Sequence, residues 1–81
     1  MARTKFWFSD EQMRQILPAV ASLNAQHPGD NRNFCVELVR SVSAATGQIY
    51  GPQVYLKLLE VADCPRRPNA TTFNRAKEEI I

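Results

Sequence analysis

Four stretches of this chain repeat apolar residues at three- and four-residue intervals, and each is bracketed by residues that start or stop a helix. A chain patterned in this way can bury one face of several helices and little else. The first stretch begins at Ser9, which has capping-box spacing with Gln12, a hydroxyl and a side-chain amide satisfying each other's N–H groups. Phe8 and Met13 fall at the hydrophobic-staple positions around that cap. Met13, Ile16, Leu17, Val20 and Leu23 or Asn24 then line one side. Pro18 falls inside the run, where it removes a backbone donor and crowds the preceding turn. Either a kink or a break is expected, with Pro18 opening a second short helix in the latter case.

His27-Pro28-Gly29-Asp30-Asn31 reads as a loop on turn chemistry. A second helix is expected from about Arg32 to Thr46, with Phe34, Cys35, Leu38, Val39, Val42 and Ala45 inward. Gly47 suits the left-handed position that ends it. Pro52 opens a third helix over about residues 52–62, burying Val54, Tyr55, Leu58, Leu59 and Ala62. Residues 48–56 contain Ile49, Tyr50, Val54 and Tyr55, a strand-like set, but Gly51-Pro52 in their middle opposes a strand. After a stiff loop from Asp63 to Pro68, Asn69 caps a last helix running to Ile81, with Phe73, Ala76 and Ile80 inward. The expected fold is a single all-α domain over residues 1–81, a compact bundle of four to five short helices. Residues 1–8 form a basic, then aromatic, N-terminal arm.

Composition limits what such a bundle can do. Eighty-one residues, 44% of them hydrophobic, supply one small core. A core of that size yields ~3–5 kcal/mol of net stability, so a partner or a homodimer would add stability that matters. The longest apolar run falls far short of the ~20 residues of a membrane span, and Asp10-Glu11 interrupt any signal-like segment, so a cytoplasmic protein is expected. Cys35, Cys64 and His27 are too few for a zinc site. Cys35 is expected in the core, and Cys64, before Pro65, is expected as an exposed loop thiol. Asp10/Glu11 and Glu78/Glu79 are adjacent in sequence and so point to different helix faces, which does not suit an acid/base pair. His27 has no identifiable nucleophile, and the three glycines are isolated, leaving no phosphate loop. A non-enzymatic protein with no catalytic residues, no metal and no cofactor is expected.

The net charge of +2 is small, and the excess sits in the arm, at Arg3 and Lys5, and in one loop, at Arg66 and Arg67. The last helix follows that loop and opens Asn69-Ala70-Thr71-Thr72-Phe73-Asn74-Arg75-Ala76-Lys77-Glu78. A helix N-terminus presents N–H groups and a partial positive charge to a phosphate. Short hydroxyl and amide side chains on its first turns reach base edges, and Arg pairs bidentately with guanine. The candidate nucleic-acid contacts are therefore Arg66, Arg67, Asn69, Thr71, Thr72, Asn74, Arg75 and Lys77. The stretch resembles the recognition helix of helix-turn-helix repressors of the lactose-repressor and gluconate-repressor types, with Asn69 at the cap, Thr72 at the Thr position, Phe73 as the buried anchor and Arg75 at the Arg position. That resemblance covers about ten residues. It implies a helix-turn-helix-like C-terminal half and a small transcriptional regulator that binds double-stranded DNA. The segment Asp63 to Pro68 departs from the family in being longer than its ~3–4-residue turn.

The same residues have plainer readings. Asn69, Thr71 and Thr72 are ordinary helix-start residues, Arg75 with Glu79 is an exposed i,i+4 pair, and Arg66-Arg67 is a solvated loop. A second functional expectation therefore stands beside the first: a small inhibitor or adaptor, of the phage or plasmid type, that acts on a larger protein. It would bind through Phe6 and Trp7, aromatic anchors in an arm where alternation places Phe6 and Phe8 on one side and Trp7 on the other.

Overall fold

Each helix starts where a side chain or a proline takes care of the N–H groups of its first turn. The structure, a computed structural model, describes residues 7–80. Among them are four α-helices and no strand: α1 Asp10–Gln26, α2 Asn31–Thr46, α3 Pro52–Val61 and α4 Ala70–Ile80. The Ser9 hydroxyl accepts from the Gln12 N–H at 3.1 Å, and the Ser9 N–H donates to Gln12 Oε1 at 2.9 Å, closing the expected capping box. Asp30 caps α2 by accepting from the Asn33 N–H at 3.2 Å. Pro52 is the first residue of α3, and Asn69 Oδ1 accepts from the Thr72 N–H at 2.9 Å at the start of α4. Gly47 ends α2 at φ +76°, a conformation in which a Cβ would be strained.

Pro18 lies within α1 and does not end it, so the described residues form four helices, the lower of the two expected numbers. Pro18 and Arg14, the residue whose carbonyl loses its donor, are both exposed. Water can therefore satisfy the carbonyl that the proline leaves open.

The core is arranged around α2, which buries Phe34, Cys35, Val36, Leu38, Val39 and Val42. Val36 lies off the apolar stripe read from sequence. It is covered because α2 is flanked by α1 and α4, so more than one of its faces is closed. From α1 come Ile16, Val20 and Leu23, with Met13 and Leu17 partly covered. α3 contributes Val54, Tyr55, Leu58 and Leu59, and α4 contributes Phe73 and Ala76. The rings of Tyr55 and Phe73 stack at 5.3 Å, tying α3 to α4. Phe8 is buried and meets Tyr50 edge-on at 5.2 Å, which seats the end of the arm on the connector before α3.

One expectation is overturned in the α3–α4 connection: Cys64 is buried, not an exposed thiol. Asp63 adopts φ +61° and folds the chain back, so that the Cys64 N–H donates to the Leu59 carbonyl at 2.9 Å and the thiol turns inward. No helix among the described residues is long and apolar enough to cross a membrane.

Candidate nucleic-acid interface

Phe73 and Ala76 hold one side of α4 against the core, so the opposite side of the helix faces outward. Asn69, Thr71, Asn74 and Arg75 are exposed there, and Thr72 and Lys77 are half-buried. Thr71, Arg75 and Glu79 follow one another at four-residue spacing and share a face. With Asn69, Thr72 and Arg32 of α2 they line a groove of about 350 Å³. Four of the eight residues expected at a nucleic-acid contact are thus gathered at one place. The Asn69 oxygen accepts from both the backbone N–H and the hydroxyl of Thr72, at 2.9 and 2.8 Å, so this part of the cap is committed to the helix start. Two guanidinium groups from different helices, with the Thr71 hydroxyl, give the groove chemistry suited to an anion.

Arg32 was not among the expected contacts, and Glu79 was expected to pair with Arg75. Instead Glu79 accepts from Arg32 Nη2 at 2.7 Å, across the two helices. Only the local i,i+4 partner is visible in sequence, whereas the observed partner lies 47 residues away.

Arg66 is placed differently from the solvated or phosphate-facing side chain expected, whereas Arg67 is exposed. Arg66 Nε donates to Asn24 Oδ1 at 3.0 Å and Nη2 to the Asn24 carbonyl at 3.3 Å. Its Nη1 donates to Asn31 Oδ1 at 3.3 Å, and the guanidinium lies 4.5 Å above the centre of the Phe34 ring. Arg66 therefore joins the end of α1, the start of α2 and the α3–α4 connection. Arg67 donates through Nη1 to the carbonyl of Cys64 and to its neighbour's carbonyl, Arg66 O, at 2.8 Å. Asn24 was the signal in the sequence, a polar residue on an otherwise apolar stripe beside Leu23.

Charge follows from this arrangement. Arg3 and Lys5 precede the described residues, and the eight remaining Lys and Arg equal the eight Asp and Glu in number. The helical body carries no excess of positive charge, so any anion site depends on local placement.

At the arm, Phe6 lies outside the described residues. Trp7 is 52% exposed, on the opposite side from buried Phe8, as alternation predicts. Ile49, the neighbour of Tyr50, is 40% exposed. The two exposed residues thus flank the Phe8–Tyr50 ring pair in the chain.

Neither thiol is a good nucleophile. Both cysteines are buried, and burial, opposed weakly by the Arg66 charge, pushes the Cys35 thiol up to about 12. His27 caps the end of α1, its N–H donating to the Leu23 carbonyl at 3.1 Å. Among the described residues no three His, Cys, Asp or Glu side chains stand close enough to hold a metal ion. No protein-family model, curated protein or solved structure matches this chain.

Proposed function

We propose that this protein is a small DNA-binding regulator that contacts duplex DNA through the N-terminal half of α4. The observation that carries this reading is the outward row Thr71, Asn74 and Arg75 on a helix anchored from behind by Phe73 and Ala76. A helix held by its apolar side can lie in a major groove with its first turns against base edges. Arg75 has the length and the paired donors to read a guanine, Thr71, Thr72 and Asn74 can meet neighbouring bases, and Lys77 a phosphate. Arg66, bonded to Asn24 and Asn31, acts in this reading by fixing the approach to α4, and exposed Arg67 meets a phosphate beside the helix. A regulator of this kind would work in the cytoplasm.

The test is a fluorescence-anisotropy titration with mixed-sequence duplex at salt from ~50 to ~200 mM. With two or three phosphate contacts the logarithm of affinity should fall with a slope of about −2 to −3 against the logarithm of salt. Arg75→Ala should cost ~1–3 kcal/mol and relax preference at one base position. A protein that binds no duplex at ~50 mM salt refutes the reading.

A second reading, binding of a larger protein, is favoured by Trp7 and Ile49, large apolar side chains left at 52% and 40% exposure next in the chain to the packed rings of Phe8 and Tyr50. It predicts that Trp7→Ala abolishes capture of that partner and leaves duplex affinity unchanged. It also predicts that Trp7 emission shifts to the blue on binding, as the indole leaves water.

A further inference from the structure

The groove beside α4 holds a second arginine whose position its own helix does not explain. Arg32 lies in the first turn of α2, where the helix dipole disfavours a cation. Its partner, Glu79, lies in the last turn of α4, where the dipole disfavours an anion. Each charge therefore stands at the wrong end of its helix, and each is offset by the other at 2.7 Å. The pair is open to water, with side chains 66% and 38% exposed, so the attraction between them is weak. Asn33 Oδ1 also lies near, accepting from Arg32 Nη1 at 3.4 Å. Arg75 and the hydroxyls of Thr71 and Thr72 line the same groove.

A carboxylate on a guanidinium occupies the place that a phosphate would take, with the same fork of N–H donors. Resting on the DNA reading above, we infer that Arg32 is a phosphate-binding residue of the α4 groove, occupied by Glu79 until a backbone phosphate displaces the carboxylate. On binding, Arg32 exchanges Glu79 for the phosphate while Arg75 and the first turn of α4 engage the bases. Glu79 then sets how tightly the protein holds nucleic acid, because every phosphate contact made by Arg32 competes with it. The exchange is cheap, since an exposed ion pair of little net worth is given up for another in which the backbone phosphate carries the same single negative charge as the carboxylate.

Four variants test this in the anisotropy titration: Glu79→Gln, Glu78→Gln, Arg32→Ala and the double variant Arg32→Ala/Glu79→Gln. Glu79→Gln should tighten duplex binding about two- to fivefold, the range of an exposed pair released. Arg32→Ala should weaken binding and reduce the salt slope by about 0.9, one phosphate contact. In the Arg32→Ala background the gain from Glu79→Gln should fall to the level of Glu78→Gln, which removes the same charge from a neighbouring position outside the groove. That non-additivity is the signature of a direct exchange, since general repulsion from a carboxylate would be additive. Circular dichroism should show all four variants folded, because the substituted side chains lie at the surface. Duplex binding that depends on Arg75 but is unmoved by Arg32→Ala, or a Glu79→Gln gain that persists without Arg32, overturns the inference and leaves the DNA reading standing. Absence of duplex binding by the wild type at ~50 mM salt overturns both.

Discussion

Replacing Arg66 with Ala should unfold this domain more readily than replacing any other arginine among the described residues. Its guanidinium makes one hydrogen bond of 3.0 Å and two of 3.3 Å to Asn24 and Asn31, and lies 4.5 Å above the Phe34 ring. The site is half-buried, so each bond to the charged group is worth less than its buried value. About 0.5 kcal/mol apiece is a reasonable net figure after screening. The ring contact adds ~0.5–1 kcal/mol. The total is ~2 kcal/mol, about half of the ~3–5 kcal/mol that a core of this size supplies. For a domain of this length that corresponds to a drop of ~8–16 °C in Tm. Thermal melts followed by circular dichroism measure it directly. Arg66→Lys keeps the charge but loses the planar fork, and should recover less than half of the loss. Arg67→Ala is the internal control, because its bonds stay within its own loop, and it should melt within ~4 °C of wild type. An Arg66→Ala melt within ~2 °C of wild type would refute the reasoning, since water would then replace the whole set of contacts at no cost.

Two further outcomes test the core. Phe73→Ala removes the ring stacked on Tyr55 and should cost ~3–5 kcal/mol, enough to leave the chain largely unfolded at 25 °C by circular dichroism, whereas Phe73→Leu should stay folded. Burial holds the Cys35 thiol protonated to about 12, while in the unfolded chain it ionises near its ordinary value of 9.0. Stability from this group is thus complete below about pH 9 and falls as pH rises above it, by up to ~1.4 kcal/mol per unit. Burial of the Tyr55 hydroxyl acts in the same direction at higher pH. Urea midpoints should therefore drop between pH 8 and pH 10.5 and drop less in Cys35→Ala; identical pH profiles for the two proteins would exclude the thiol as the cause.

The elements of the fold were legible where the deciding contacts are local. Ser9 with Gln12, Gly47, Pro52 and Asn69 act on groups within a few residues, and sequence spacing alone places them. Asp30 follows the same logic, with Asn33 three residues on, but the turn chemistry of His27 to Asn31 hides its capping role. Pro18 shows the limit of a local reading. Its position is plain, yet break or continuity depends on whether the carbonyl of Arg14 can reach water, which packing decides. Val36 is covered by helices distant in the chain, and Cys64 turns inward through the left-handed conformation of Asp63, so no periodicity could place either. The same holds for cations at the site. Arg66 bonds to residues 42 and 35 positions away, and Arg32 to one 47 away. A sequence presents all of these as exposed charges, and only the fold divides them into structural and available ones.

That division bears on how α4 could meet DNA. In a tight helix-turn-helix the short turn sets the angle between two helices, and the first of them crosses the phosphate backbone. Here residues 62–69, eight in number, separate α3 from α4, too many for the turn to fix an angle. The orientation of α4 rests instead on its packing along α2, on the Tyr55–Phe73 stack and on the Arg66 junction at the start of α2. The helix that shares a groove with the exposed side of α4 is therefore α2, through Arg32. Lys57, exposed on α3 and 3.6 Å from Glu60, is the cation that a helix-turn-helix docking would place near the backbone. Lys57→Ala and Arg32→Ala consequently separate the two geometries in one salt titration. If α2 and α4 form the contact face, the loss of about 0.9 in slope appears with Arg32→Ala and not with Lys57→Ala. The reverse result would assign the backbone contact to α3 and return the chain to helix-turn-helix docking, with the long connection compensated by the stack between Tyr55 and Phe73.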